Sequence, residues 1–223
     1  MSSISPEGLV ALAQATVRQE IDALLKLIDQ LGDPAIAPHF VEATRRLLAC
    51  TGKVLTAGCG TSRHVAARLA HLLSCCGTPA LYIHPSDAQH GLGGAVTAQD
   101  VLVLISKGGE TDEINRLARI AKARGATLIA LTEQPASTLG QISDVILPFC
   151  APPDVDPYGM IATGSSLFNS LLGDALCVVL LKLRGYTRAE FGQTHPGGAV
   201  GIKLAQENVD LSESRIQQDG AGG

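Results

Sequence analysis

The chain of 223 residues is 46% hydrophobic and 17% charged, which suits one α/β domain with appendages and leaves too little for two full domains. A net charge of −4, with no Lys/Arg stripe and no interleaved aromatics, argues against nucleic-acid binding. No basic segment followed by an apolar core opens residues 1–20, and the longest apolar run of the C-terminal half, residues 175–181, is far short of the roughly 18 residues of a membrane span, so a soluble cytoplasmic protein with no membrane partner is expected.

Residues 1–50 read as two helices. Ser5-Pro6-Glu7 is a helix start, and Leu9, Leu12, Ala15, Val17, Ile21, Leu24, Leu25 and Ile28 form an apolar stripe up to the break at Gly32-Asp33-Pro34. A second helix spans 37–48. Whether this segment packs on a neighbouring subunit or covers its own sheet is open at this stage.

A strand-then-helix rhythm follows. Strands are expected at 53–57, 80–84, 101–105, 127–131 and 145–149, nearly continuous in hydrophobicity, as strands buried on both faces should be. Helices are expected at 62–76, 112–124 and 137–142, with 88–98 mostly loop. The alternation implies an α/β fold, a three-layer α/β/α sandwich over residues 51–205 with a five-stranded parallel sheet. In the flavodoxin-like order 2-1-3-4-5 the ligand crevice lies outside the carboxyl ends of strands 1 and 3. Those ends carry Gly58-Cys59-Gly60-Thr61-Ser62 and Ser106-Lys107-Gly108-Gly109-Glu110-Thr111, so both turns should face one ligand. Further on come a stiff loop at 151–157 with Asp154 and Asp156, a long apolar helix at 163–183, a loop at 185–194, His195-Pro196-Gly197-Gly198, a short helix at 199–204 and a polar, frayed tail at 206–223.

The glycine-rich turns suit a small anion. The third glycine of a dinucleotide fingerprint is missing, since Arg63 stands in its place, and no P-loop Gly-Lys-Ser/Thr occurs. A phosphate monoester held by loop amides with Ser62, Ser106 and Thr111, and with Ser165 or Ser166, fits better; each hydroxyl taken singly is equally explained as a helix cap. Glu110 would repel such an anion unless it faces another part of the ligand, where a proton-transfer base belongs. His195 before Pro-Gly-Gly suits acid/base work at a sugar ring oxygen. A divalent metal on His84, His90 and a carboxylate is an alternative without HExxH or paired-cysteine spacing; no cofactor is otherwise required. With no export signal, the six cysteines read as reduced, mostly buried thiols; Cys59, between two glycines at a strand end, could face a ligand, but a small space-filling residue is the preferred reading.

From about residue 10 to residue 204 the chain resembles the sugar isomerase (SIS) domain and, within it, the arabinose-5-phosphate isomerases. The matching segments are Gly58-x-Gly60-x-Ser62, His84-Pro85-Ser86-Asp87-Ala88-x-His90-Gly91, Ile105-Ser106-x-x-Gly109-Glu110, Gly173-Asp174-Ala175-Leu176 and His195-Pro196-Gly197-Gly198. The resemblance implies an intramolecular oxidoreductase, an aldose-ketose isomerase interconverting D-arabinose 5-phosphate and D-ribulose 5-phosphate through an enediol. It also implies a homotetramer whose sites borrow residues from neighbouring subunits. His195 then corresponds to the ring-opening histidine, Glu110 to the proton shuttle, Asp154 to a second family glutamate and His90 to a histidine near substrate or metal.

Departures from that pattern are specific. Thr61 stands where a lysine is expected, Lys107 and Gly108 replace neutral and serine residues, and Leu92 replaces an aspartate. The paired CBS domains that often follow have no counterpart in these residues. Lys107 is expected to restore at strand 3 the charge lost at Thr61. Isomerisation of a different anionic sugar, or phosphosugar binding without catalysis, are the alternative readings.

Overall fold

Ser5 caps the first helix by accepting from the Gly8 N–H at 3.1 Å, and Pro6 fits the first turn because its missing N–H would be unpaired there. The computed structural model describes residues 4–207. Helices α1 (Pro6–Gly32) and α2 (Ala37–Leu48) precede β1 (Val54–Gly58), α3 (Thr61–Cys75), β2 (Ala80–Tyr82), α4 (Pro85–Ala88), β3 (Val101–Ile105), α5 (Asp112–Ala123), β4 (Thr127–Leu131), α6 (Thr138–Ile142), β5 (Val145–Leu147), α7 (Gly164–Arg184), α8 (Arg188–Thr194) and α9 (Gly198–Gln206). The tail expected from Gln206 onward lies, beyond Glu207, outside the described residues.

All strands are parallel and the order is β2-β1-β3-β4-β5, as the hydrophobic pattern implied. Every residue of β1 and β3 is buried, and alternation along the strand divides them between two cores. Val101, Val103 and Ile105 join the core shared with α2, α3 and α7, whereas Leu102 and Leu104 join the one under α4 and α5. By length and composition α7 could cross a membrane. In this fold Phe168, Leu172, Leu176 and Leu180 of α7 lie in the first core, and Asp174 takes a two-pronged bond from Arg68 of α3 at 2.5 and 3.0 Å.

The structure corrects the loop expected at 185–194 and the lengths of two strands, and it adds detail elsewhere. Residues 185–194 are not all loop, because Thr187 and Glu190 form a capping box that nucleates α8. Residues 88–98 contain a 3-10 turn at Leu92–Ala95, and β2 and β5 stop at three residues because, as edge strands, each has a partner on one side only. The apolar stripe of α1 faces outward. Leu9, Leu12, Val17, Ile21, Leu25 and Ile28 are exposed, and α1 buries Glu20, Ala23 and Leu27. Glu20 Oε2 has no hydrogen-bond partner among the described residues, but it lies at the start of α7, where the positive end of the helix dipole offsets its charge.

Asp100 ties the amino end of the sheet together. Its carboxylate accepts from Lys53 N at 2.9 Å, Lys53 Nζ at 2.9 Å and Thr97 N at 2.8 Å. Burial disfavours the charge, yet these donors outweigh it and hold the carboxyl below its ordinary value. A carboxyl whose folded pKa lies below the unfolded value of about 3.9 stabilises the fold above that pH and loses the contribution as pH falls through the folded value. We expect Asp100→Asn to cost about 1–3 kcal/mol at pH 7. Urea titrations should show the gap to wild type closing as the pH is lowered below about 4.

Candidate active site

Two helix N-termini open at the carboxyl end of the sheet without side-chain caps. Gly60 precedes α3 with φ 55°, a left-handed conformation that glycine adopts at little cost, and it offers no capping side chain. Thr111 precedes α5, but its Oγ1 is bonded to Ser106 Oγ at 2.9 Å and does not cap the helix. Both sets of first-turn amides therefore lack a side-chain acceptor, and they flank adjacent strands, since Gly58 pairs in register with Ile105. Free amides of this kind make the pair a candidate anion cradle. Gly58 allows the close turn, because a Cβ there would collide with the Ser62 carbonyl oxygen.

Beside it lies a polar crevice of about 580 Å³, lined by Gly58, Cys59, Gly60, Thr61, Arg63, His64, His84, Ser86 and Glu113. Thr61 is exposed and Ser62 half-buried. His84 stands edge-on to Tyr82 and its Nδ1 is sealed from water with no partner among the described residues. His90 is exposed on the segment after α4. No three His, Cys, Asp or Glu side chains among the described residues converge to hold a metal, so His84 and His90 have no third ligand in this arrangement. Cys59 remains a thiol, since burial and the Glu113 carboxylate raise its pKa.

The carboxylates near the 106–111 loop have separate hydrogen-bond partners. Glu110 is exposed, and its Oε1 accepts from Thr138 N at 2.8 Å, which holds its carboxyl below the ordinary range. Asp154 Oδ1 accepts from both Ser165 N and Ser165 Oγ at 2.9 Å, capping α7, while Ser166 Oγ donates to Thr163 O at 2.9 Å. These two serine hydroxyls thus serve the helix start. Lys107 Nζ lies 3.9 Å from Glu133 Oε1 and 4.0 Å from Asp154 Oδ2. The Lys107 ammonium is therefore turned toward carboxylates of the neighbouring loops.

His195 is elsewhere. Its ring stacks on Phe191 with centroids 3.9 Å apart, its Nδ1 lies 3.0 Å from Phe191 O, and its Nε2 lies 3.3 Å from Cys75 Sγ. A carbonyl only accepts, so Nδ1 carries the proton when it bonds Phe191, and the Nε2 lone pair then accepts from the Cys75 thiol in this arrangement. Cys75 ends α3 and Thr61 begins it. Fifteen helical residues separate the two ends by about 21 Å. His195 thus stands at the amino end of the sheet, out of reach of the cradle in its own subunit.

Comparison with known proteins settles the family. The SIS domain model matches residues 47–178, more than half of the chain. The chain belongs to the SIS domain family. Arabinose 5-phosphate isomerase KdsD of Yersinia pestis is 39% identical over 179 residues, covering 80% of this chain and 55% of that relative. The protein of the same name from Pseudomonas aeruginosa is 38% identical over 199 residues, 89% of this chain and 60% of its own length. This SIS chain therefore spans a little over half the length of these relatives. Among solved structures, Escherichia coli CFT073 c3406 in complex with arabinose 5-phosphate is similar at a TM-score of 0.81 and 32% identity, covering 86% of this chain and 100% of that one.

Within this SIS chain, sequence reasoning brought Thr61, Ser62, Ser106 and Thr111 to one end of the sheet, and it missed Glu133 and Glu113. Glu113 was hidden as an ordinary acidic residue of a helix first turn. Glu133 follows the end of β4, next to β3 in the same order that located the crevice, and that position was the signal available for finding it.

Proposed function

We propose that the chain is a phosphosugar aldose-ketose isomerase that interconverts D-arabinose 5-phosphate and D-ribulose 5-phosphate through an enediol. The observation that carries this reading is the cradle of two uncapped helix N-termini on adjacent strands, with Ser106 and Thr111 hydroxyls between them and carboxylates on its flank. The names of the KdsD relatives and the arabinose 5-phosphate complex of c3406 agree with it. The amides take the phosphate. Glu110 removes the proton from C2 and returns it to C1, while the hydroxyl proton moves from O2 to O1. His195 transfers the proton needed to open the sugar ring.

This assignment requires more than one subunit. His195 reaches a cradle only if a second copy supplies it, and the outward apolar stripe of α1 is a surface that such a copy would cover. A homo-oligomer, a tetramer by resemblance, is the proposed assembly, acting in the cytoplasm. The exposed Thr61 and Leu92, which lack the charges the family pattern holds there, favour one second reading, isomerisation of another anionic sugar.

Incubation with candidate sugar phosphates in deuterium oxide tests the proposal. Deuterium at the exchangeable carbon of arabinose 5-phosphate together with ribulose 5-phosphate formation is the expected result. Exchange with a different sugar phosphate alone would move the assignment to that sugar, and exchange with none would leave a binding module.

A further inference from the structure

Glu133 joins three loops at the open end of the sheet. Its backbone N–H donates to Lys107 O at 3.0 Å, and the preceding Thr132 Oγ1 donates to the same carbonyl at 3.1 Å. Its Oε1 accepts from Ala151 N at 3.1 Å, which ties down the loop that carries Asp154. That same oxygen lies 3.9 Å from Lys107 Nζ, and Asp154 Oδ2 lies 4.0 Å from the same ammonium. Lys107 is thus held at its carbonyl by the two residues that follow β4, and its ammonium lies at ion-pair distance, beyond hydrogen-bond range, from carboxylates that follow β4 and β5. Asp154 is the more enclosed partner, with a side chain only 7% exposed, and its other oxygen is committed to Ser165. Burial pushes the Glu133 carboxyl up, Lys107 and the Ala151 N–H pull it down, and the Asp154 charge pushes it up again.

A flexible lysine half in solvent would ordinarily sample many rotamers, and a surface ion pair would do little to restrain it. Two carboxylates from different loops, meeting at one ammonium, restrain it better. Their placement keeps the positive charge on the loop whose hydroxyls and amides form the anion cradle. We propose that Glu133 is a positioning residue of this site: it holds the Lys107 ammonium beside Asp154 so that the cation faces the anionic sugar bound in the cradle. The proposal rests on the phosphosugar reading of that cradle. Glu133 acts through Lys107 and touches no substrate itself.

Glu133→Gln separates the two contributions of the side chain, because the amide oxygen can still accept from Ala151 N while the charge is gone. Arabinose 5-phosphate affinity by calorimetry and kcat/KM are measured for wild type, Glu133→Gln, Lys107→Met and the double variant, with Glu133→Asp as the conservative control. Each single change should weaken sugar phosphate binding by about tenfold, and the double variant should be no worse than Lys107→Met. Glu133→Asp should recover part of the loss. Wild-type affinity in Glu133→Gln, or effects that simply multiply in the double variant, would overturn the proposal. Binding of arabinose 5-phosphate without turnover by the wild-type protein would reject the isomerase reading alone, since the affinity cycle still decides the role of Glu133. A wild-type protein that binds no sugar phosphate would overturn both.

Discussion

A His195→Ala subunit is expected to lose isomerase turnover by about 10²–10⁴-fold, the usual contribution of a positioned acid/base, and a mixture with Glu110→Gln subunits should recover activity that neither parent has. The reason is distance. His195 lies against Cys75 at the end of α3 opposite to Thr61, about 21 Å away along the helix, so its own cradle is beyond its reach. In a mixed assembly some sites combine an intact cradle from one subunit with an intact histidine from another. Co-refolding or subunit exchange followed by the arabinose 5-phosphate assay checks this directly. No recovery on mixing, with assembly confirmed by light scattering, would place both residues in the same subunit's site and contradict the proposed geometry.

Gly109→Ala should be the most damaging single change to the loop, costing about 2–5 kcal/mol from the left-handed backbone and the overpacking combined. Gly109 has φ 68°, and a Cβ there would collide with Ser137 Oγ and lie 2.5 Å from Ser137 Cβ. The glycine cannot easily move away. Its N–H donates to Ser106 O at 3.0 Å, and its carbonyl accepts from Leu139 N and Asn115 Nδ2, both at 3.1 Å. Ser137 is equally constrained, because it caps α6 by accepting from Gly140 N. Urea denaturation of Gly109→Ala should show the loss. Adding Ser137→Gly should return the steric part of it and leave the part due to the backbone conformation. A single variant as stable as wild type would refute this account of the loop.

Much of this was legible in the residues themselves. Buried strands reveal themselves as short, nearly continuous apolar runs, and with five of them alternating with helices few topologies are open, so the order β2-β1-β3-β4-β5 followed, and with it the end of the sheet that gathers the candidate residues. The helix α8 was not legible, because residues 185–194 lack a clear apolar stripe and the helix depends on reciprocal bonds between Thr187 and Glu190. The stripe of α1 does mark a helix, but periodicity says which residues share a face and not what that face touches. Here most of that face is exposed in the described subunit, and Leu24 alone of its large residues packs against the core.

The amino-acid sequence alone determined the sheet, the two glycine-rich turns at adjacent strand ends and the residue types able to hold an anion and move a proton. These are local properties, set by burial period and by the conformations that glycine and hydroxyl side chains permit. Tertiary structure decided which of those residues meet. It put Lys107 beside Glu133 and Asp154, committed Ser165 and Ser166 to the start of α7, and carried His195 to the far end of α3. Distances between side chains on different loops depend on strand register, helix length and the path of each return connection, and sequence spacing does not contain them.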